Sequence, residues 1–179
     1  GLTVKGKGVE FFDAVKALGM EGIIAKKSES TYIPGDRSKN WLKIKGQNRQ
    51  EVVILGYTKT EGSPKVFSSL ILGVNDKGKL SYAGKVGTGF KDAEQKELMS
   101  KFKKLERKTS PIEDISNVNK DGRWRHKSAQ TEVFWLKPEL ICEIHFTEVT
   151  ADEIFRNPAY VSLREDKKVK DVVMEKANN

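Results

Sequence analysis

The sequence predicts a mainly β protein with α elements, and three observations carry that prediction. Apolar, β-branched runs of strand length recur at residues 52–57, 66–74 and 80–86. Strong turn signals, Gly62-Ser63-Pro64 and Asn75-Asp76-Lys77-Gly78, separate them. One amphipathic stretch follows at residues 92–105, with Leu98, Phe102 and Leu105 on one stripe and Asp92 placed as its N-cap.

The remaining elements follow in chain order. Val9, Phe12 and Val15 have helical spacing over residues 9–18, and Gly19 suits the C-terminal cap. Residues 21–27 read as a short strand with Ile23, Ile24 and Ala25 continuous, and residues 28–40 as a loop. Residues 41–45 alternate, which sends Lys43 and Lys45 to one strand face. Residues 46–50 are short, polar and opened by a glycine, the composition of a domain hinge. Residues 110–128 are irregular, residues 132–136 and 140–147 form two further strands, and residues 168–176 read as a last helix. From residue 51 the order is three strands, a helix and two strands, that of the five-stranded OB-fold barrel.

Hydrophobic residues make up 37% and charged residues 32% of 179, with mean hydropathy −0.57, the balance of a soluble globular chain. No apolar run reaches the ~20 residues that span a bilayer, and residues 1–8 lack a signal-peptide core. Cys142 is the only cysteine and lies in the apolar stretch 140–146, so a buried thiol in a reducing cytoplasm is expected. The net charge of +8 favours polyanionic partners, because each neutralised phosphate releases counterions.

Three local patterns carry chemistry. Glu21-Gly22 opens a strand, where a carboxylate suits a hard metal ion or a ribose hydroxyl. Lys43 and Lys45 stand two apart on a strand, an arrangement of like charges that an anion such as a phosphate relieves, and Arg37 can add a bidentate fork to the same anion. Arg164-Glu165-Asp166-Lys167 places four charges after an apolar segment, with Asp166 suited to a helix N-cap. Singly, each also fits an ordinary solvated surface.

In order and spacing, Glu-Gly, Lys-x-Lys and Arg-x-Asp-Lys resemble motifs IV, V and VI of the covalent nucleotidyltransferases, the superfamily of DNA ligases and mRNA capping enzymes. Trp41-Leu42-Lys43-Ile44-Lys45, Tyr82 to Phe90, Trp135-Leu136-Lys137-Pro138 and Phe146-Thr147-Glu148 are similar to the ATP-dependent DNA ligases of the bacterial ligase D family, which work with the end-binding protein Ku. The resemblance runs from about Gly8 to Lys167. It implies that residues 1–45 are the C-terminal part of an α+β adenylation domain, 46–50 the hinge, and 51–179 the OB domain. It further implies ATP and Mg2+ or Mn2+ as cofactors and a place in the bacterial cytoplasm, at the nucleoid.

By that resemblance Lys43 and Lys45 contact the α-phosphate, Glu21 acts through the metal, and Arg37 lies near a nucleotide or nick phosphate. Arg164, Asp166 and Lys167 orient the β- and γ-phosphates. Nicked or broken double-stranded DNA is the expected partner, met through its backbone by Lys59, Lys65, Lys85, Lys91, Arg123 and Arg125. The Lys-x-Asp-Gly motif whose lysine carries AMP does not occur in this sequence, so the chain by itself is expected to be inactive. Two other readings compete. A free-standing OB module for single-stranded nucleic acid needs neither Lys-x-Lys nor Arg-x-Asp-Lys. An RNA capping guanylyltransferase shares motif VI but not the Trp-Leu-Lys-x-Lys and Lys-Val-Gly-Thr-Gly-Phe strings.

Overall fold

The computed structural model describes residues 3–18, 22–31, 40–46, 48–116, 118 and 130–175, with the side chains of Lys16, Lys43 and Lys45 outside that description. The chain divides into two compact units, Gly1–Gln47 with Lys176–Asn179, and Asn48–Glu175. No helix among the described residues is long and apolar enough to cross a membrane.

The first unit holds helix α1 (Gly8–Ala17) and an antiparallel pair, β1 (Gly22–Lys26) and β2 (Trp41–Lys45), in register from Gly22↔Lys45 to Lys26↔Trp41. The Lys26 ammonium sits 4.1 Å from the Trp41 ring centroid, a cation–π contact at the end of the pair that the intervening segment connects. Val15 is buried, but Ile24, Leu42 and Ile44 are 56%, 57% and 40% exposed. A two-stranded ribbon with that much uncovered apolar surface is short of a full core of its own.

The second unit is built on β3 (Asn48–Thr60), a 13-residue strand. One of its edges takes β4 (Ser69–Asp76), which pairs onward with β5 (Lys79–Val86). The other edge is shared in succession by β8 (Ile141–Phe146) along Asn48–Val53 and by β7 (Thr131–Leu136) along Gly56–Thr60. Short β6 (Glu106–Arg107) lies on β7, and β11 (Ala159–Arg164) lies on β8. A separate two-stranded pair joins β9 (Glu148–Val149) to β10 (Phe155–Arg156). Helix α2 (Asp92–Leu105) connects β5 to β6.

The expected class is therefore found, while the closed five-stranded barrel is not confirmed. The main sheet has seven strands among the described residues, in the order β11-β8-β3-β4-β5 with β7 and β6 alongside, and no ladder closes it. A single backbone bond, from the Tyr160 amide to the Thr88 carbonyl at 2.9 Å, links β11 to the segment after β5. Gly89 makes that approach possible, because its φ is +95° and a Cβ there would strike the backbone of Tyr160.

Three further expectations change. Asn48, Arg49 and Gln50, read as linker, begin β3. The N-cap of α2 is Lys91 rather than Asp92, and its amide donates to Glu94 Oε2 at 2.8 Å. The expected terminal helix is a single 3-10 turn (Val169–Asp171), after which Val173 bridges Asn75 in parallel. There the Asn75 amide donates to the Val172 carbonyl at 2.6 Å, so a tertiary backbone bond displaces helical continuation.

Val52, Val53, Ile54 and Leu55 are all fully buried, since both faces of β3 are covered. On one face Ile54, Leu70, Leu72 and Val86 pack with Leu98 and Phe102 of α2. Tyr57 stacks against Phe102 at 5.4 Å and Phe134 at 4.8 Å in that core. On the other face Val53, Leu55, Ile71 and Ile141 pack beneath Ile112, Val118 and Val172.

Phe102→Ala empties the centre of the larger core and should cost about 3–5 kcal/mol of unfolding free energy in urea titration. Gly89→Ala, strained by its φ as well as by the Tyr160 backbone, should cost more than about 1 kcal/mol in the same assay.

Candidate nucleotide-binding motif and charge ladder

The Arg164–Lys167 segment leaves the end of β11, and each of its four side chains has a partner. Arg164 clamps Asp166, with Nε donating to Oδ1 at 3.0 Å and Nη2 to Oδ2 at 2.9 Å. Its Nη1 donates to Glu143 Oε2 at 3.0 Å and lies 3.6 Å from Glu51 Oε1. Lys167 Nζ is 3.5 Å from Glu51 Oε2. Glu165 accepts from Lys101 Nζ of α2 at 3.0 Å, and that bond is the main cause holding the Lys101 amine up.

Glu51 and Glu143 face each other across β3 and β8, a register position at which like charges repel. Arg49, opposite His145 on the same pair of strands, donates from Nη1 to Glu143 Oε1 at 3.1 Å. The result is an alternating ladder, Arg49–Glu143–Arg164–Glu51–Lys167, which links β3, β8, the end of β11 and the segment just after it. Glu143 and Glu51 side chains are only 13% and 18% exposed, so these contacts are less screened than the Glu165–Lys101 pair, where Glu165 is 81% exposed. Sequence patterns do not single out Arg49, Glu51 or Glu143. The available signal is Glu143 and His145 alternating with apolar residues inside the 140–146 stretch, which marks a polar outer face on an otherwise buried strand.

Asp166, expected as a helix N-cap, is instead the carboxylate arm of the Arg164 clamp. The Arg164 guanidinium holds its carboxyl down at about 2, below the ordinary 3.8, with help from its own backbone amide.

The other expected site residues are placed unevenly. Lys43 and Lys45 are register partners of Ile24 and Gly22 on β2, as the alternation requires, with side chains outside the described residues. Glu21, Arg37, Arg123 and Arg125 lie outside the described residues altogether. Among the described residues, no group of three or more histidine, cysteine, aspartate and glutamate side chains is arranged to hold a metal ion. Of the expected DNA-facing lysines, Lys59 of β3 lies opposite Glu132 of β7, Lys65 Nζ donates to the Gly87 carbonyl at 3.3 Å, and Lys85 of β5 is the register partner of Ile71. Lys91 is exposed at the start of α2. Cys142 is fully buried, and burial pushes its thiol up, as fits an inert core residue.

The family described as ATP dependent DNA ligase C terminal region matches residues 63–167, ending on the lysine that closes the ladder. The chain belongs to the ATP-dependent DNA ligase family. Residues 7–45 match the ATP dependent DNA ligase domain. The multifunctional non-homologous end joining protein LigD of Pseudomonas aeruginosa is 35% identical over 162 residues, 89% of this chain and 18% of its own length. The protein of the same description from Mycolicibacterium smegmatis is 37% identical over 172 residues, 95% and 21% of the two lengths. The crystal structure of the ligase domain from M. tuberculosis LigD matches with TM-score 0.58 and 32% identity, over 98% of this chain and 53% of that one. A mycobacterial DNA ligase D complexed with ATP and MES matches with TM-score 0.58 and 32% identity, over 94% and 51%. The chain thus spans about a fifth of the length of these curated relatives. The resemblance to ligase D read from the motif strings is borne out.

Because the folded value of Asp166 lies below 3.8, its ionised form contributes stability that is fully present above about 3.8 and is lost as pH falls through about 2. A carboxyl-carbon NMR titration should place the Asp166 midpoint near 2 and move it toward 3.8 in Arg164→Gln.

Proposed function

We propose that this chain is part of a DNA-sealing ligase that uses ATP, contributing the end of the nucleotide-binding domain and the OB domain that follows it. The observation that carries the reading is the unbroken family match over residues 63–167, which terminates in Arg164, Asp166 and Lys167. The match over residues 7–45 supports it, because that segment ends in Lys43 and Lys45.

In this reading Lys43 and Lys45 meet the α-phosphate, where negative charge builds as a lysine nucleophile attacks. Arg37 meets a nucleotide or nick phosphate. Glu21 helps hold a divalent cation, magnesium or manganese, which neutralises phosphate charge. Arg164 and Lys167 meet the outer phosphates, so that pyrophosphate leaves in line with the attack. That assignment asks the residues on either side of positions 46–50 to close on one triphosphate and then separate, so that AMP passes to the 5′-phosphate of a nick and the 3′-hydroxyl displaces it. DNA is held by its backbone through Lys59, Lys65, Lys85, Lys91, Arg123 and Arg125, because a ligase accepts any sequence. The end-joining names of the LigD relatives support broken ends as the substrate, and Ku as a partner follows only from the resemblance of the motif strings to the ligase D family.

Incubated with labelled ATP and magnesium, this chain should form no covalent AMP, for want of a Lys-x-Asp-Gly lysine. Joined to a segment that supplies that motif, it should become labelled, and Lys43→Ala should cut the labelling by about tenfold or more. Labelling of the chain by itself overturns the reading. Its DNA affinity should fall with rising salt, with a slope that drops by about 1 for each contacting lysine replaced by glutamine. A slope near zero removes the backbone-contact assignment.

A further inference from the structure

The four charges of residues 164–167 fall into two kinds of contact. Asp166 satisfies two of the Arg164 donors, but it lies two residues along the same segment and moves with it. The Arg164 backbone belongs to β11, and among the described residues only Glu143 and Glu51 tie its side chain to the neighbouring strands. Of these, Glu143 makes the short bonds, 3.0 Å to Arg164 and 3.1 Å to Arg49, and is the less exposed. Its register partner on β11 is Ser162, so it reaches diagonally toward the Arg164 position rather than straight across. Two facing carboxylates on adjacent strands carry a repulsive cost that the fold accepts only while cations stand between them. Arg49, Arg164 and Lys167 against Glu51, Glu143 and Asp166 make three cations and three carboxylates, an even balance.

We propose that Glu143, assisted by Glu51, is a positioning residue that anchors Arg164 to the sheet and so aims Lys167, 41% exposed, at the outer phosphates of ATP. Its two oxygens divide the work. Oε2 fixes the guanidinium of the motif, and Oε1 holds Arg49 at the start of β3, so the motif and the first residues of the unit form one rigid patch. This assignment rests on the reading that Arg164 and Lys167 meet those phosphates. Glu143 touches no substrate and acts only through Arg164.

The test uses an intact ligase polypeptide that contains this segment and a Lys-x-Asp-Gly lysine, with the variants Glu143→Gln, Arg164→Gln and the two combined. Two rates are measured: formation of enzyme–AMP from ATP, and sealing of a nick already carrying AMP on its 5′-phosphate. The second substrate has no triphosphate, so a residue that aims the motif at outer phosphates leaves it untouched. Glu143→Gln should slow the first rate by about tenfold or more and leave the second within about twofold. The combined variant should be no slower than Arg164→Gln, because Glu143 has nothing left to act through. Equal losses in both rates mean a purely structural residue and overturn the proposal. So do an additive double variant, a Glu143→Gln rate like the parent's, or a faster one, which would make the carboxylate a competitor of phosphate. If Arg164→Gln leaves enzyme–AMP formation unchanged, the phosphate reading itself fails, and the proposal falls with it.

Discussion

Strand β3 has to satisfy three ladders on its two edges, and most of the second unit follows from that requirement. Its 13 residues bond β4 on one edge and, on the other, β8 and then β7. A strand with both edges occupied and both faces covered has no position at which a polar side chain is cheap to bury, so residues 52–55 are uniformly apolar. Helix α2 seals one face and the 110–118 and 169–172 segments seal the other. Near its start, where one face is less covered, β3 carries Arg49 and Glu51 on either side of the buried Gln50.

That change in burial creates the charge ladder. Glu51 and Glu143 are partners because the β3–β8 register makes them so, and β11 adds the third strand that brings Arg164 alongside. An exposed ion pair is worth about 0–1 kcal/mol, whereas a carboxylate only 13% exposed and robbed of its cation costs several times more. The geometry of the motif thus depends on acidic residues more than a hundred positions, or some twenty, away from it in sequence. Strand pairing, not proximity along the chain, joins them.

Much of this fold was legible. The α2 boundaries and the strands of the 52–86 region follow from periodicity and turn residues, which are local properties. Strand β11 was not legible, for a local reason of another kind. A register shift between Tyr160 and Ser162 breaks its alternation, and a run of charged residues follows it, so no strand pattern stands out there. The terminal valines have helical spacing, yet bonds to Asn75 decide their conformation. Of the site, the Arg-x-Asp-Lys string is visible in sequence because it is contiguous. Glu51 and Glu143 are invisible as partners, since nothing in either neighbourhood names the strand register that pairs them. β2 was legible from alternation alone, and it carries Lys43 and Lys45 two apart as that alternation requires.

One buried amide ties the two ends of the second unit together. Gln50, 3% exposed near the start of β3, donates from Nε2 to the Val173 carbonyl at 3.0 Å and accepts from the Glu175 amide at 3.2 Å. The polypeptide therefore arrives in this unit and departs from it at one corner. A module stitched in that way can be inserted into a longer polypeptide, or followed by another folded body, without stretching its own frame. Glu175, the last residue of this unit, is thereby held at the corner that also holds Gln50, beside Arg49 and Glu51 along β3.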